Sequence, residues 1–181
     1  MFKKFILIII LIPFSLIAQT EINIDDLDTS GDTVKYHNEV FTGISFMNYP
    51  SGKLYIKSVY KDGILNGVEK VWFENGNLQS QTTYKDGKFN GIIKEWYNFG
   101  QQEREVVYKM DYKFGKSIHW YENGNIKEVG IYKNCMEQGL WKYFYEDGQL
   151  KEKGVYKDGV KIGIWEEYNE KGEIKEVNYD I

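Results

Sequence analysis

Two histidines, one cysteine and a scatter of carboxylates are the groups in this chain that could move protons, attack a carbonyl or hold a metal. Their spacing decides what they do. His37 and His119 lie 82 residues apart, whereas a nucleophile–base pair or a histidine-rich metal site needs a convergent cluster. Cys135 is the only cysteine, so it allows neither an intramolecular disulfide nor a cysteine-only metal cage, although an exposed thiol could cross-link two chains. Glu166 and Glu167 are adjacent; on a strand they point to opposite faces, which spoils them as a catalytic carboxylate pair. Asp26, Asp28, Ser30 and Gly31 imitate the opening of a calcium loop, but its twelfth position is His37 rather than a bidentate glutamate. A solvated acidic linker is the better reading. No glycine stands in a strand-to-helix phosphate loop. The expectation is a protein with no catalytic residue, no metal ligand and no cofactor, and not an enzyme.

The elements that would carry these groups follow from composition. The 181 residues allow one domain of ordinary size. Aromatic residues reach 17%, glycine 18 copies and proline only 2, which suits neither a disordered polymer nor a helical bundle and points to strands joined by glycine turns. The formal net charge is −4, more negative still without Lys3 and Lys4. An acidic chain with evenly mixed lysine lacks the basic footprint that binds phosphates, so nucleic acid is not an expected partner.

Residues 1–19 hold two lysines, then an apolar run from Phe5 to Ile17 containing Pro13, then the small residue Ala18. That is the three-part pattern of a secretory signal peptide, and the run is shorter than a membrane helix requires. An exported chain is expected, with an uncleaved membrane anchor as the alternative. Residues 20–35 are polar and acidic and read as a leader.

Self-comparison organises the remainder. Tyr36, Tyr60, Tyr84, Tyr108, Tyr132 and Tyr156 recur every 24 residues without a slip. Gly43, Gly67, Gly91, Gly115, Gly139 and Gly163 keep the same interval, as do Gly52, Gly76, Gly100, Gly124, Gly148 and Gly172. Six units result, 36–59, 60–83, 84–107, 108–131, 132–155 and 156–179. Numbering each unit from its tyrosine, Asn75-Gly76, Asn123-Gly124 and Asp147-Gly148 signal a two-residue type I′ hairpin turn. Each unit is then one hairpin, with Lys85-Asp86-Gly87 beginning the link to the next. The expected fold is all-β: an elongated, single-layer antiparallel meander of twelve short strands, about 55 Å long at the usual strand spacing.

With a two-residue turn, cross-strand partners have unit positions summing to 33, and alternation sorts the faces. One face receives the aromatic at position 14 (Tyr49, Phe73, Tyr97, Tyr121, Tyr145), the aliphatic at position 19 (Leu54, Leu78, Ile126, Leu150, Ile174), the position-8 glycine and the next unit's tyrosine. Trp141 falls opposite Gly154 there, its ring expected to cover that glycine strand, and this face reads as the packed seam. The other face carries Trp72, Trp96, Trp120, Phe144 and Tyr168 at position 13, beside Val68, Ile92, Leu140 and Ile164 and beside Lys70, Lys94, Lys142 and Glu166.

The pattern Tyr-Lys-Asp-Gly-x-x-x-Gly-x-x-x-x-Trp-Phe-x-Asn-Gly-x-Leu resembles the MORN repeat in its bacterial variant form, whose members are often labelled antitoxin-like components of toxin–antitoxin systems. Units 60–83, 84–107 and 156–179 match best. The first unit departs, with Asn48 for the tryptophan and Pro50-Ser51-Gly52 at the turn, which suits a cap. The resemblance implies a non-enzymatic single-layer sheet serving protein contact and, in eukaryotic relatives, lipid contact.

The expected function is therefore presentation of an extended β surface to a protein partner, as an immunity-like or envelope scaffold. The alternative is cell-wall or surface polysaccharide held on the row Trp72, Trp96, Trp120, Phe144 and Tyr168, whose rings recur at roughly 9–10 Å. Contact with a lipid surface is a further alternative, requiring lysines to segregate to one face.

Overall fold

The computed structural model describes residues 20–180; the expected signal peptide lies outside them. Most of the described chain folds as one long sheet, whose main strands from β4 onward follow one another in sequence order. The strands are β1 (Glu21–Asn23), β2 (Lys35–Tyr36), β3 (Glu39–Val40), β4 (Gly43–Asn48), β5 (Leu54–Lys61), β6 (Ile64–Leu65), β7 (Gly67–Trp72), β8 (Leu78–Lys85) and β9 (Lys88–Phe89). There follow β10 (Gly91–Trp96), β11 (Gln102–Lys109), β12 (Tyr112–Trp120), β13 (Ile126–Lys133), β14 (Met136–Phe144), β15 (Leu150–Lys157), β16 (Val160–Tyr168) and β17 (Ile174–Asn178). The large sheet has 15 strands, with β6 and β9 as short arms off the main path, while β2 and β3 form a separate two-stranded ribbon. Six hairpins, β4–β5 to β16–β17, repeat at the interval of the tyrosines, so the expected meander is the fold.

The acidic leader is not wholly outside the sheet. β1 pairs in parallel with β4, Glu21 opposite Ile44 and Asn23 opposite Phe46, and Lys57 reaches Glu21 at 2.6 Å. The edge of the first hairpin is thereby covered, a means of hiding unpaired main-chain groups that would otherwise template aggregation. The Asp28 carboxylate closes a local turn, accepting from the Ser30 N–H at 3.0 Å, while its main chain bridges to Lys35.

The two-residue turns do not lie at the Asn-Gly sites, where the sequence expectation put them. At the Asn-Gly site Phe73 N–H donates to the Asn77 carbonyl at 2.9 Å and Gly76 N–H to the Phe73 carbonyl at 2.8 Å. Only Gly76, at φ +94°, is left-handed there, which makes a three-residue loop, a type I turn closed by a glycine bulge. The two-residue turns with both residues at positive φ are instead at the links: Asp62-Gly63, Asp86-Gly87, Met110-Asp111, Asn134-Cys135 and Asp158-Gly159, with Lys85 paired to Lys88 and Lys133 to Met136 across them. Asp-Gly carries the same turn chemistry as Asn-Gly, so the links held a signal of their own.

Changing the turn changes the faces. The register sums to 33 from Gly67–Tyr84 through Val71–Ser80, then shifts, so that Trp72 stands opposite Leu78 and Gln79 is the extra residue. The same shift recurs before Trp96, Trp120 and Phe144. The aliphatic at position 19 therefore crosses from the expected seam to the face of the position-13 row. A second irregularity sits at the position-8 glycines: Phe114, Gly115 and Lys116 face Val107 alone between the pairs Tyr108–Lys113 and Val106–Ser117. A Cβ on Gly67 (φ +137°) would lie 2.9 Å from the Cβ of Val59, so both space and backbone demand glycine there.

One face, here the tyrosine face, holds the closest packing. Its spine is the cross-strand series Ser45–Ser58, Glu69–Thr82, Ile93–Val106, Ser117–Gly130 and Trp141–Gly154. Trp141 and Trp165 are 1% and 0% exposed. The Trp141 ring leans toward the preceding hairpin, not onto Gly154 as expected: a Cβ on Gly130 would lie 2.1 Å from it, while Gly154 is covered in the same way by Trp165. The indole N–H groups fix this lean, Trp141 donating to the Ile131 carbonyl at 3.2 Å and Trp165 to that of Val155 at 3.3 Å. Tyr132, Trp141, Tyr156, Trp165 and Tyr179 then meet edge to face, at centroid distances from 4.9 to 6.1 Å.

Candidate functional site

The opposite face, here the aliphatic face, is built by the same alternation. Positions 9 and 24 pair across it as Val68–Thr83, Ile92–Val107, Lys116–Ile131 and Leu140–Val155, with Ile164 beyond. Val68, Ile92, Ile131, Leu140, Val155 and Ile164 remain between 37% and 59% exposed. This nearly continuous apolar row crosses nine neighbouring strands, β7 to β16, roughly 38 Å at the usual spacing. An exposed apolar strip of that length on a solvated sheet marks an interaction surface.

The second apolar row of this face is the one singled out from the sequence. Trp72, Trp96, Trp120, Phe144 and Tyr168 stand opposite Leu78, Gln102, Ile126, Leu150 and Ile174. All five rings are half-buried. Their main-chain carbonyls are in use too: those of Trp72, Trp120, Phe144 and Tyr168 accept from Tyr49, Tyr97, Tyr121 and Tyr145 of the preceding hairpins at 2.7–3.0 Å. The row is thus tied into the sheet on its backbone side and open on its ring edges. The signal missed in the sequence was the position-24 series, because Val107, Ile131 and Val155 were not set beside their cross-strand partners.

Between the two rows run charges. Lys94 meets Glu105 at 3.2 Å and Lys153 meets Glu166 at 2.9 Å, while Ile118 and Val129 interrupt the charged line at its middle, opposite each other. There the surface dips into a shallow groove of about 350 Å³ lined by Lys116, Val129, Gly130, Ile131, Leu140 and Lys142.

The titratable groups of the tyrosine face are arranged for packing. His119 Nδ1 lies 3.2 Å from Glu128 Oε1. Burial, with Arg104, Lys113 and Lys127 nearby, pushes the His119 pKa down to about 4, and burial raises that of Glu128. The pair is therefore a neutral imidazole against a carboxyl group and not an ion pair. His37 sits in the exposed turn between β2 and β3. Glu166 and Glu167 do separate to the two faces, the first held by Lys153 and Tyr168 and the second standing opposite Glu152. Among the described residues, no three histidine, cysteine, aspartate or glutamate side chains converge as a metal site. Tyr60, Tyr84, Tyr108, Tyr132 and Tyr156 line the tyrosine face, burial raising the hydroxyl pKa of Tyr84 to about 12.

The hairpin interval, the two turn classes and the tyrosine rows give the repeat its signature. The profile of the MORN repeat variant matches four times, at residues 41–62, 65–86, 115–134 and 137–158. The chain belongs to the MORN repeat variant family. No curated protein matches it. Two of the MORN matches, at 115–134 and 137–158, take in Ile131 on β13 and Leu140 and Lys142 on β14, so the groove is lined by residues of the repeats. MORN repeats generally serve in binding and not in catalysis, and the tyrosine-face core fits that use, since it holds a thin sheet rigid while leaving the other face open.

Proposed function

We propose that this MORN-repeat chain is a non-enzymatic binding protein that presents its aliphatic face to a protein partner, and that it does so after export through its N-terminal segment. The observation that carries the reading is the row Val68, Ile92, Ile131, Leu140, Val155 and Ile164, half-exposed on a sheet with no second layer above it among the described residues. A sheet normally buries one face against another element; here the tyrosine face packs on itself through its aromatic ladder, and the aliphatic row is left for an intermolecular contact.

Cross-linking followed by capture from the native envelope tests this. A single protein retained by the intact chain, and lost when Ile92 and Ile164 are changed to serine, is the expected result; retention indifferent to those changes overturns the assignment of the face. Replacing Trp72, Trp96 and Trp120 by alanine separates the protein reading from the polysaccharide one. Retention on cell-wall glycan that vanishes in a folded triple variant would favour glycan. N-terminal sequencing of the fractionated protein addresses export, with a start near Gln19 expected and an uncleaved cytoplasmic product counting against it.

A further inference from the structure

The geometry points to the occupant of the aliphatic face: an acidic amphipathic segment of the partner, which seats an aliphatic side chain in the groove between Ile131 and Leu140 and sets carboxylates against Lys116 and Lys142. This rests on the proposal of a protein partner above and names its chemistry.

The argument is one of charge accounting on that face. Away from the link turns its lysines are Lys57, Lys70, Lys94, Lys116, Lys142 and Lys153, placed by cross-strand register, and Lys61, Lys85, Lys88, Lys109, Lys133 and Lys157 add to them at the strand ends. Its carboxylates are mostly claimed within the face, Glu21 by Lys57, Glu105 by Lys94 and Glu166 by Lys153, and Glu176 stands at the last strand opposite Glu166. Among the described residues Lys70, Lys116 and Lys142 meet no carboxylate within 4.0 Å. In a chain of net charge −4, the exposed aliphatic face thus carries unpaired positive charge beside its apolar row. Two of those three cations flank the shallow groove in the row, which Val129, Ile131 and Leu140 line between them.

That combination selects among occupants. A second copy of this chain would bring the same surplus of lysine and few free carboxylates, so the two surfaces would repel. A lipid surface is planar, whereas the dip at Ile131 and Leu140 accepts a projecting side chain. An acidic partner segment satisfies both features at once. Its aliphatic residue fills the groove as the anchor, and its carboxylates neutralise Lys116 and Lys142 at the rim, where such pairs govern association rate and salt dependence.

The test uses the full chain and fluorescence anisotropy of two labelled amphipathic peptides, one built of leucine and glutamate and the other of leucine and lysine. Binding of the glutamate peptide, weakened about tenfold or more by K116E/K142E and likewise by L140S, and weakened by salt, is expected. The lysine peptide should bind only the charge-reversed variant. All substituted side chains are at least partly exposed, and a circular dichroism spectrum matching the parent confirms that each variant folds. Equal binding of the two peptides, or indifference to charge reversal, overturns the proposal. So does flotation with vesicles of phosphatidylcholine and phosphatidylglycerol that depends on Lys116 and Lys142 in the absence of peptide binding. A native partner whose capture survives K116E/K142E and L140S would leave the protein-binding reading standing while removing this one.

Discussion

The Tyr121 hydroxyl of one hairpin donates to the main-chain carbonyl of Phe144 in the next, at 2.8 Å. The same bond joins Tyr49 to Trp72, Tyr97 to Trp120 and Tyr145 to Tyr168. On the opposite edge, the second residue of each link turn donates its N–H to a carbonyl of the previous unit, as Gly87 does to Leu65 at 2.8 Å and Cys135 to Lys113 at 3.0 Å. Neighbouring hairpins are therefore laced at both ends, and each unit's stability depends on its neighbours, as in other one-dimensional arrays.

Phe73 interrupts the tyrosine lacing, because it has no hydroxyl to offer Trp96. Tyr121→Phe should lower stability by about 1 kcal/mol, and Phe73→Tyr should raise it by a similar amount. Urea midpoints of the two variants, compared at equal slope, check both directions.

The contact between Trp165 and Gly154 leaves no room for a methyl group, since a Cβ would sit 2.1 Å from the indole. Gly154→Ala should cost roughly 1–3 kcal/mol and expose the ring, seen as a lower melting temperature with red-shifted tryptophan emission. Gly139→Ala is the contrast. Its Cβ meets nothing within 4 Å and its φ is +68°, so only backbone strain of about 1 kcal/mol is expected, with the emission unchanged.

Cys135 and Asp111 both occupy left-handed positions that three sister links give to glycine, at φ +66° and +71°. They should nonetheless respond differently to glycine. Cys135→Gly relieves strain and loses only a weak contact from the Lys113 N–H to Sγ, a net gain of about 0.5–1 kcal/mol. Asp111→Gly also loses a 2.8 Å bond from the Phe89 N–H to its carboxylate, so its gain should be cancelled. Thermal melts of the two single variants distinguish the outcomes.

His119 makes stability depend on pH. Its folded pKa, about 4, is below the ordinary 6.5, so between these values the unfolded chain binds the extra proton. Its contribution is fully present above about pH 6.5 and is lost as pH falls toward 4. Glu128, raised by burial, works in the opposite sense, but the His119 shift is the larger. His119→Gln should flatten the fall in melting temperature between pH 7 and 5, and an unchanged slope would assign the dependence to other groups.

Much of the fold and part of the site were legible in the sequence. The 24-residue period, the six hairpins and the face shared by Val68, Trp72 and Lys70 follow from repetition and two-residue alternation, which are local properties of the chain. Alternation survives only as far as the first bulge. Gln79 and its sister residues insert one position, and that insertion carried Leu78, Ile126 and Leu150 to the other face; nothing in residue type alone distinguishes a two-residue turn at Asn75-Gly76 from a three-residue loop there, because glycine serves both. Register likewise placed Trp141 opposite Gly154 but left its side chain two neighbouring strands to choose between. The choice fell to Gly130 because the Ile131 carbonyl was within reach of the indole N–H, a fact about three strands at once. The sequence by itself determined which residues repeat and roughly which side they take. The tertiary structure decided which lysines find a carboxylate and which, like Lys116 and Lys142 beside Leu140, do not, because that pairing depends on side chains that only the folded sheet brings across from the next strand.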